Sequence, residues 1–258
     1  MLAIATNDDG IDSPGLRLMV HALRGAGFRV KVAAPLHDMS GAGKSIGFPI
    51  RVHHVDMEGA EEALAAEGPP ASIVYTALRL SQERPVLVAS GVNHGPNLGA
   101  EDLLTSATIG AALEAAFQGV PGLAVSVWSR RRAPLPGDEA GLVERVIAEA
   151  AAEIARSGAG VRVAIAVNIP PSPSGAVVAR PAFNRYDVEL SLRDGLLVPV
   201  MREDRIYSNS SPPEGTDLWA YRRGLITVVP LGVDPPLCAG EEGWRLAGRI
   251  ADRLRGLM

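Results

Sequence analysis

Residues 2–5, Leu-Ala-Ile-Ala, form an unbroken apolar run that is too short for a helix and shows no polar alternation. Such a run suits a strand buried on both faces of a parallel sheet. A second run, Pro-Val-Leu-Val-Ala-Ser at 85–90, has the same character, and further strand signals lie at 29–34, 122–128 and 161–167. Parallel neighbours cannot be joined by a tight hairpin, so a crossover must lie between them. The intervening sequence has that form. Leu16, Met19, Val20 and Leu23 repeat at helical spacing, residues 105–117 are rich in alanine, and Leu142, Val143, Val146, Ile147 and Ile154 mark a helix over 138–156. Strand, helix and strand with right-handed crossovers predict an α/β protein, with a Rossmann-like, doubly wound, mostly parallel sheet.

Local signals refine this frame. Ser13 reads as an N-cap and Pro14 as the first residue of the first helix. Residues 50–55 look extended, 58–67 are acidic and alanine-rich, and 72–80 form a short helix after the Gly68-Pro69-Pro70 break. The pattern changes at Asn168, where Pro170, Pro171, Pro173 and Pro181 open a loop-rich departure. A β-hairpin over 186–200 turns at Arg193-Asp194-Gly195, a returning strand covers 225–229, and a terminal helix over 241–257 carries Trp244, Ala247, Ile250, Ala251 and Leu254 on one face. The expected division is a catalytic core at 1–168, followed by the hairpin excursion, returning strand and C-terminal helix at 169–258. The hairpin and the 201–258 segment look poorly placed to bury apolar faces on a closed core, which predicts an oligomer.

With 47% hydrophobic residues in 258, the chain can build a substantial core. A net charge of -4 offers no general attraction to a nucleic acid polymer or an anionic membrane, so an anionic substrate needs a local site. A single cysteine, Cys238, precludes an internal disulfide framework and fits a reducing compartment. The start of the sequence lacks a basic signal-peptide pattern, and no apolar run approaches the roughly 20 residues of a membrane span. A cytoplasmic location is expected.

Chemistry concentrates in the turns after the strands. Asp8 and Asp9 are adjacent carboxylates that repel each other, and a turn carrying both beyond a buried strand makes sense if a cation sits between them. The loop Ser40-Gly41-Ala42-Gly43 and the pair Asn93 and Asn97 follow other strands. Carboxylates, a hydroxyl and an amide carbonyl are hard oxygen donors, suited to Mg²⁺ or Mn²⁺ rather than zinc. Gly41 and Gly43 let backbone N–H groups approach an oxyanion, while Thr105, Ser106 and Thr108 lie at a helix start that receives phosphate well. Each piece also has a plainer reading: a solvated Asn-Asp-Gly turn, loop-capping amides, or a helix cap. His21, His37, His53, His54 and His94 have no partners at zinc-site spacing.

Other motifs fail on particular residues. Gly43-Lys44-Ser45 ends like a P-loop, but Asp38 stands where the first glycine belongs and no helix signal follows. Lys44 is then expected mainly to attract an anionic substrate. A DxDG phosphatase needs an aspartate at position 7, which is Asn7, and a phospho-receiver domain needs one where Ser90 and Asn93 stand. No serine has a GxSxG setting.

The assembled pattern resembles the SurE (survival protein E) family of 5′-nucleotidases. The matching stretches are TNDDGIDSPGL at 6–16, SGAGKSI at 40–46, SGVNHGPNLG at 90–99, TSATIGAALEAAFQGVPGLAVS at 105–126 and GTDLWAYRRGLITVVPL at 215–231. The resemblance implies a Rossmann-like core with one divalent metal ion per subunit, held by Asp8, Asp9, Ser40 and Asn93. It implies phosphate contacts from Gly41, Asn97 and Ser106, with Asp8 and Asp9 catalytic. The implied reaction is hydrolysis of nucleoside 5′-monophosphates, extending to 3′-nucleotides and short polyphosphate, in a homodimer or homotetramer that exchanges its hairpin and C-terminal segment. The alternative is a metal-dependent nucleotide-binding protein without turnover. The chain departs from the family pattern at Gly68-Pro69-Pro70-Ala71-Ser72, which lacks the usual threonine and aspartate. It departs again at Thr105-Ser106-Ala107-Thr108, and at Gly43, where serine is usual.

Overall fold

The computed structural model describes residues 1–129, 133–157, 162–185, 189–200, 211–234 and 240–258. Tyr186 and Cys238 lie outside the described residues. Strands β1 (Leu2–Thr6), β2 (Arg29–Pro35), β3 (Val52–Val55), β4 (Glu62–Ala66), β5 (Leu87–His94), β6 (Gly122–Val127), β7 (Val163–Ile169), β8 (Gly175–Val178) and β11 (Leu225–Gly232) form one sheet. Its order is β3-β4-β2-β1-β5-β6-β7-β11-β8. The six strands from β4 to β7 are mutually parallel, β3 and β11 run against their inner neighbours, and β8 lies parallel to β11. The predicted α/β architecture is therefore observed, and its mostly parallel sheet continues into the C-terminal part of the chain. The expected boundary near residue 168 leaves β8 and β11 in the same sheet as the strands before it.

Helices cover both faces. On one side α1 (Pro14–Gly25), α5 (Gly137–Ser157) and α7 (Gly240–Arg255) bury Leu16, Met19, Leu23, Val146, Ile147, Ile154, Leu246 and Ile250. On the other, α2 (Pro70–Leu80) and α4 (Ala107–Phe117) bury Ile73, Val74, Ala111 and Ala115 against Ile4 and Val88. Alanine on α4 lets the helix lie close to the sheet, and Gly122 has no room for a side chain, since a Cβ there would fall 2.2 Å from the Ala112 carbonyl oxygen. Burying side chains of this kind contributes about 1.5–3 kcal/mol each for the larger aliphatic residues.

Several expectations need correction. The helix read over 105–117 is α4, which begins after Ser106, whose hydroxyl caps it by accepting from Ile109 N at 3.2 Å, but a separate short helix, α3 (Gly99–Thr105), precedes it where none was expected. The polar turn expected from Gly91 is partly strand, because β5 continues to His94 through a register shift between Gly91 and Asn93. The acidic stretch at 58–67 contains strand β4, and α6 (Asp217–Tyr221) and β8 are elements that the sequence did not announce. The terminal helix buries Leu246 rather than Trp244, which is largely exposed. Because α7 packs on β8, β11 and α5, the 240–258 segment does find a core within its own chain. The hairpin does not. Among the described residues, strands β9 (Glu189–Arg193) and β10 (Leu196–Val200) pair only with each other, and Leu190, Leu192, Leu196 and Leu197 are each at least 63% exposed.

Candidate active site

The mouth of the site is formed where β1 and β5 end side by side, with Thr6 in register with Ser90. Asn7 ties the following turn by donating from Nδ2 to the Gly10 carbonyl at 2.9 Å. Asp8 is buried, and Thr108 of α4 donates to its Oδ1 at 2.7 Å. Burial pushes the Asp8 carboxyl up to about 6; the Thr108 bond opposes this, while the neighbouring carboxylates of Asp9 and Asp38 add to it. The neighbouring Asp9 carboxylate thus adds to the cost of ionising Asp8 in a desolvated place. Beneath the turn, Thr6 Oγ1, Asn7 Oδ1 and Ser90 Oγ are buried oxygens with no hydrogen-bond partner among the described residues.

The glycine-rich loop meets this turn directly. Met39 N donates to the Asp8 carbonyl at 2.8 Å, and Ser40 donates from both its N and its hydroxyl to Asp38 Oδ1, at 2.9 and 2.7 Å. The Ser40 proton therefore points at Asp38, which leaves oxygen lone pairs for another ligand. Ala42 N reaches the Met39 carbonyl and Gly43 N the Thr105 carbonyl, so the loop is seated on the junction between α3 and α4. Among residues 39–43, only Gly41 N has no acceptor among the described residues. Gly41 adopts φ +81°, a conformation in which its N–H is presented by a turn that other residues adopt at a cost.

Lys44 does not fulfil its expected part. Its Nζ donates to Glu114 Oε2 of α4 at 2.5 Å and lies 4.7 Å from the centre of the Phe117 ring. The Glu114 side chain is only 4% exposed, so Lys44 neutralises a buried carboxylate and fastens the loop to α4 rather than reaching for a substrate. Ser72, the departure near α2, likewise has a structural use: its hydroxyl accepts from Gly47 N at 2.8 Å.

Asn93 stands at the end of β5, where its Nδ2 donates to the Gly95 carbonyl at 2.8 Å and its Oδ1 remains for a ligand. Asn97 lies across the ends of β6 and β7. Asn168 holds its backbone from both sides, accepting from Asn97 N at 2.7 Å and donating to Asn97 O at 2.9 Å, while Asn97 Nδ2 donates to Ser126 Oγ at 2.8 Å. Asn168 and Ser126 also belong to the mouth: Ser126 closes the matching stretch at 105–126 but was not singled out, and Asn168 showed only as a polar residue at the end of an otherwise apolar strand. Ser106 sits beside the loop through the Gly43–Thr105 contact, with its oxygen engaged as the α4 cap.

The donor set fits a hard divalent cation. Two carboxylates, the Ser40 hydroxyl and the Asn93 carbonyl would all offer oxygen to it, and the neighbouring donors are turned toward Asp38 and Gly95. Among the described residues no three His, Cys, Asp or Glu side chains cluster to hold a metal, so a cation here must draw on neutral oxygens as well.

Comparison with known proteins identifies the family. The family profile described as Survival protein SurE matches residues 3–187. The chain is 38% identical to the 5′-nucleotidase SurE of Aeropyrum pernix over 250 residues, covering 94% of this chain and 91% of that protein. It is 37% identical to the 5′-nucleotidase SurE of Methanopyrus kandleri, with 91% and 92% covered. The crystal structure of the SurE protein from Aquifex aeolicus superposes with a TM-score of 0.73 at 27% identity, covering 91% of this chain and 94% of that one. With the family profile spanning most of the chain and the relatives matching nearly end to end, this chain belongs to the SurE family.

Proposed function

We propose that this chain hydrolyses nucleoside 5′-monophosphates to nucleoside and phosphate, with a divalent metal ion, Mg²⁺ or Mn²⁺, held by Asp8, Asp9, Ser40 and Asn93. What supports this reading is the placement of the loops: β1 and β5 end side by side, Met39 N binds the Asp8 carbonyl, and among residues 39–43 the Gly41 N–H has no acceptor among the described residues. Its relatives bear the name 5′-nucleotidase, which supports nucleotide phosphatase activity. When bound, the cation would neutralise charge on the phosphoryl oxygens and favour ionisation of an attacking water.

The remaining steps belong to the chain's own residues. Gly41 N–H, the Ser106 hydroxyl proton and the second Nδ2 proton of Asn97 are donors for phosphoryl oxygens, and they are held before substrate arrives. Thr108 fixes the Asp8 carboxylate by its bond to Oδ1, which leaves Asp9 as the carboxylate beside it to orient an attacking water or accept its proton. Activity toward 3′-nucleotides and short polyphosphate belongs to the same proposal, as does assembly into a homodimer or homotetramer through the exposed leucines of the β9–β10 hairpin.

A panel of nucleoside monophosphates, an aryl phosphate and short polyphosphate, assayed with Mg²⁺ and Mn²⁺, tests the reading. Phosphate release from AMP is expected. Tight metal-dependent nucleotide binding with no release would replace the enzyme by a binding protein.

A further inference from the structure

The GTD sequence at 215–217 takes no part in the mouth as described so far, yet its aspartate is 2% exposed. An aspartate taken out of water needs partners. Asp217 has three, all backbone N–H groups: Gly99 N donates to its Oδ2 at 2.8 Å, and Ala182 N and Leu218 N donate to its Oδ1 at 2.8 and 2.7 Å. One of these lies within its own helix α6, one follows β8, and one opens α3, two residues after Asn97.

The loop it grips is held at every step. Asn97 N goes to Asn168 Oδ1, Leu98 N to Asp102 Oδ2 at 2.6 Å, Gly99 N to Asp217, Ala100 N to the Ala182 carbonyl at 2.8 Å, and Glu101 N to Asn184 Oδ1 at 3.3 Å. Five consecutive amides thus have acceptors within the protein. Asn184 also donates from Nδ2 to the Leu98 carbonyl at 3.0 Å. Gly99 adopts φ +76°, and a Cβ there would fall 2.0 Å from Asn184 Oδ1, so the approach depends on glycine. Leu98, Ala182, Leu218 and Tyr221 seal the cluster with apolar contact.

Two consequences follow. None of these backbone amides is available to a phosphate, which leaves the Asn97 side chain as the group of this loop start that can touch substrate. That side chain is only as well placed as the backbone beneath it, and a displacement of about 1 Å is enough to lose much of a positioning effect. We infer that Asp217 is a positioning residue for phosphate recognition, acting through Gly99 to set the Asn97 side chain against the substrate. The inference rests on the phosphatase reading above. A carboxylate is required because its lone pairs accept all three N–H groups, whereas an asparagine would turn an NH₂ group toward at least one of them.

Asp217→Asn tests this with three measurements: hydrogen exchange of the 98–101 amides, steady-state hydrolysis of AMP with inhibition by inorganic phosphate, and the Mn²⁺ concentration for half-activation. Faster exchange is expected, with KM for AMP and the inhibition constant for phosphate both raised about tenfold and half-activation by Mn²⁺ unchanged. If Asp217→Asn does not fold, Asn184→Ala removes two bonds from the same loop and should shift the same constants in the same direction by a smaller factor. Faster exchange with unaltered KM and phosphate inhibition would reduce Asp217 to a structural residue and overturn the inference. So would an equal loss of Mn²⁺ activation, which signals collapse of the whole mouth. A wild-type protein that releases no phosphate from AMP would instead sink the phosphatase reading itself, and the positioning role with it.

Discussion

The strand-end mouth and the β9–β10 hairpin obey opposite rules. At the mouth, polar side chains find hydrogen-bond partners within the chain: buried Asp8 in Thr108, the Asn97 side chain in Ser126, and buried Glu114 in Lys44. On the hairpin, Leu190, Leu192 and Leu197 share one face of a two-stranded ribbon and remain in water. A two-stranded ribbon is marginal by itself. The mouth therefore meets most of its polar demands within the chain, whereas the described hairpin leaves its leucines uncovered.

The sharpest way to break this contrast is to remove the cation. Exhaustive chelation should abolish phosphate release, and Mn²⁺ or Mg²⁺ should restore it; full activity after chelation would mean that the paired carboxylates do not act through a metal. Next in size is Asp9→Asn, which keeps the side chain's volume and removes one charge from the mouth. It should lower turnover at least about 10²-fold, or about 2.7 kcal/mol of transition-state stabilisation, with the thermal transition of the metal-free protein unchanged or raised by relief of repulsion. Turnover near wild type would remove Asp9 from the reaction.

Lys44→Ala probes the mouth's internal completeness rather than its chemistry. It strands Glu114, whose side chain is 4% exposed, and because Lys44 is itself 30% exposed the loss should be about 2 kcal/mol, below that of a fully buried pair. Adding Glu114→Gln should recover part of that loss, which chemical denaturation can measure; no recovery would show the two residues to be uncoupled. The smallest effect on the fold is expected from Leu192→Ser with Leu197→Ser, about 0.5 kcal/mol or less, since neither side chain is buried within the chain. The same pair should shift the sedimentation coefficient toward monomer. An unchanged oligomer would place the subunit contact elsewhere.

What could be read from the sequence was local. Leu2–Thr6, the Ser13 cap with Pro14, the helix periodicities and the turn at Asp194-Gly195 each carry their signal within a few residues, and each forms as expected. Helix α3 was hidden because its seven residues, directly behind a glycine-rich turn, are too few to show a helical period. Gly91 to His94 looked like a turn because glycine and asparagine usually make one, but pairing with β6 holds them in the sheet. The partners that fix the mouth were out of reach of any local pattern: Lys44 and Glu114 are 70 residues apart, Asn97 and Asn168 71, and Gly99 and Asp217 118.

The position of β11 bears on when the protein becomes whole during synthesis. It is the last strand in the sequence, yet it lies inside the sheet, between β7 and β8. Until residues 225–232 have left the ribosome, β8 has no neighbour to pair with, and the Arg180–Thr216 bridge that carries Asp217 toward Gly99 has no sheet to rest on. The parallel strands from β4 to β7 can assemble earlier, as N-terminal portions of a chain generally do. The nascent chain therefore acquires Asp8 and Asp9 first and the grip on Gly99 last, so a chain halted before β11 would carry the residues proposed to hold a metal while the loop beneath Asn97 was still unfinished.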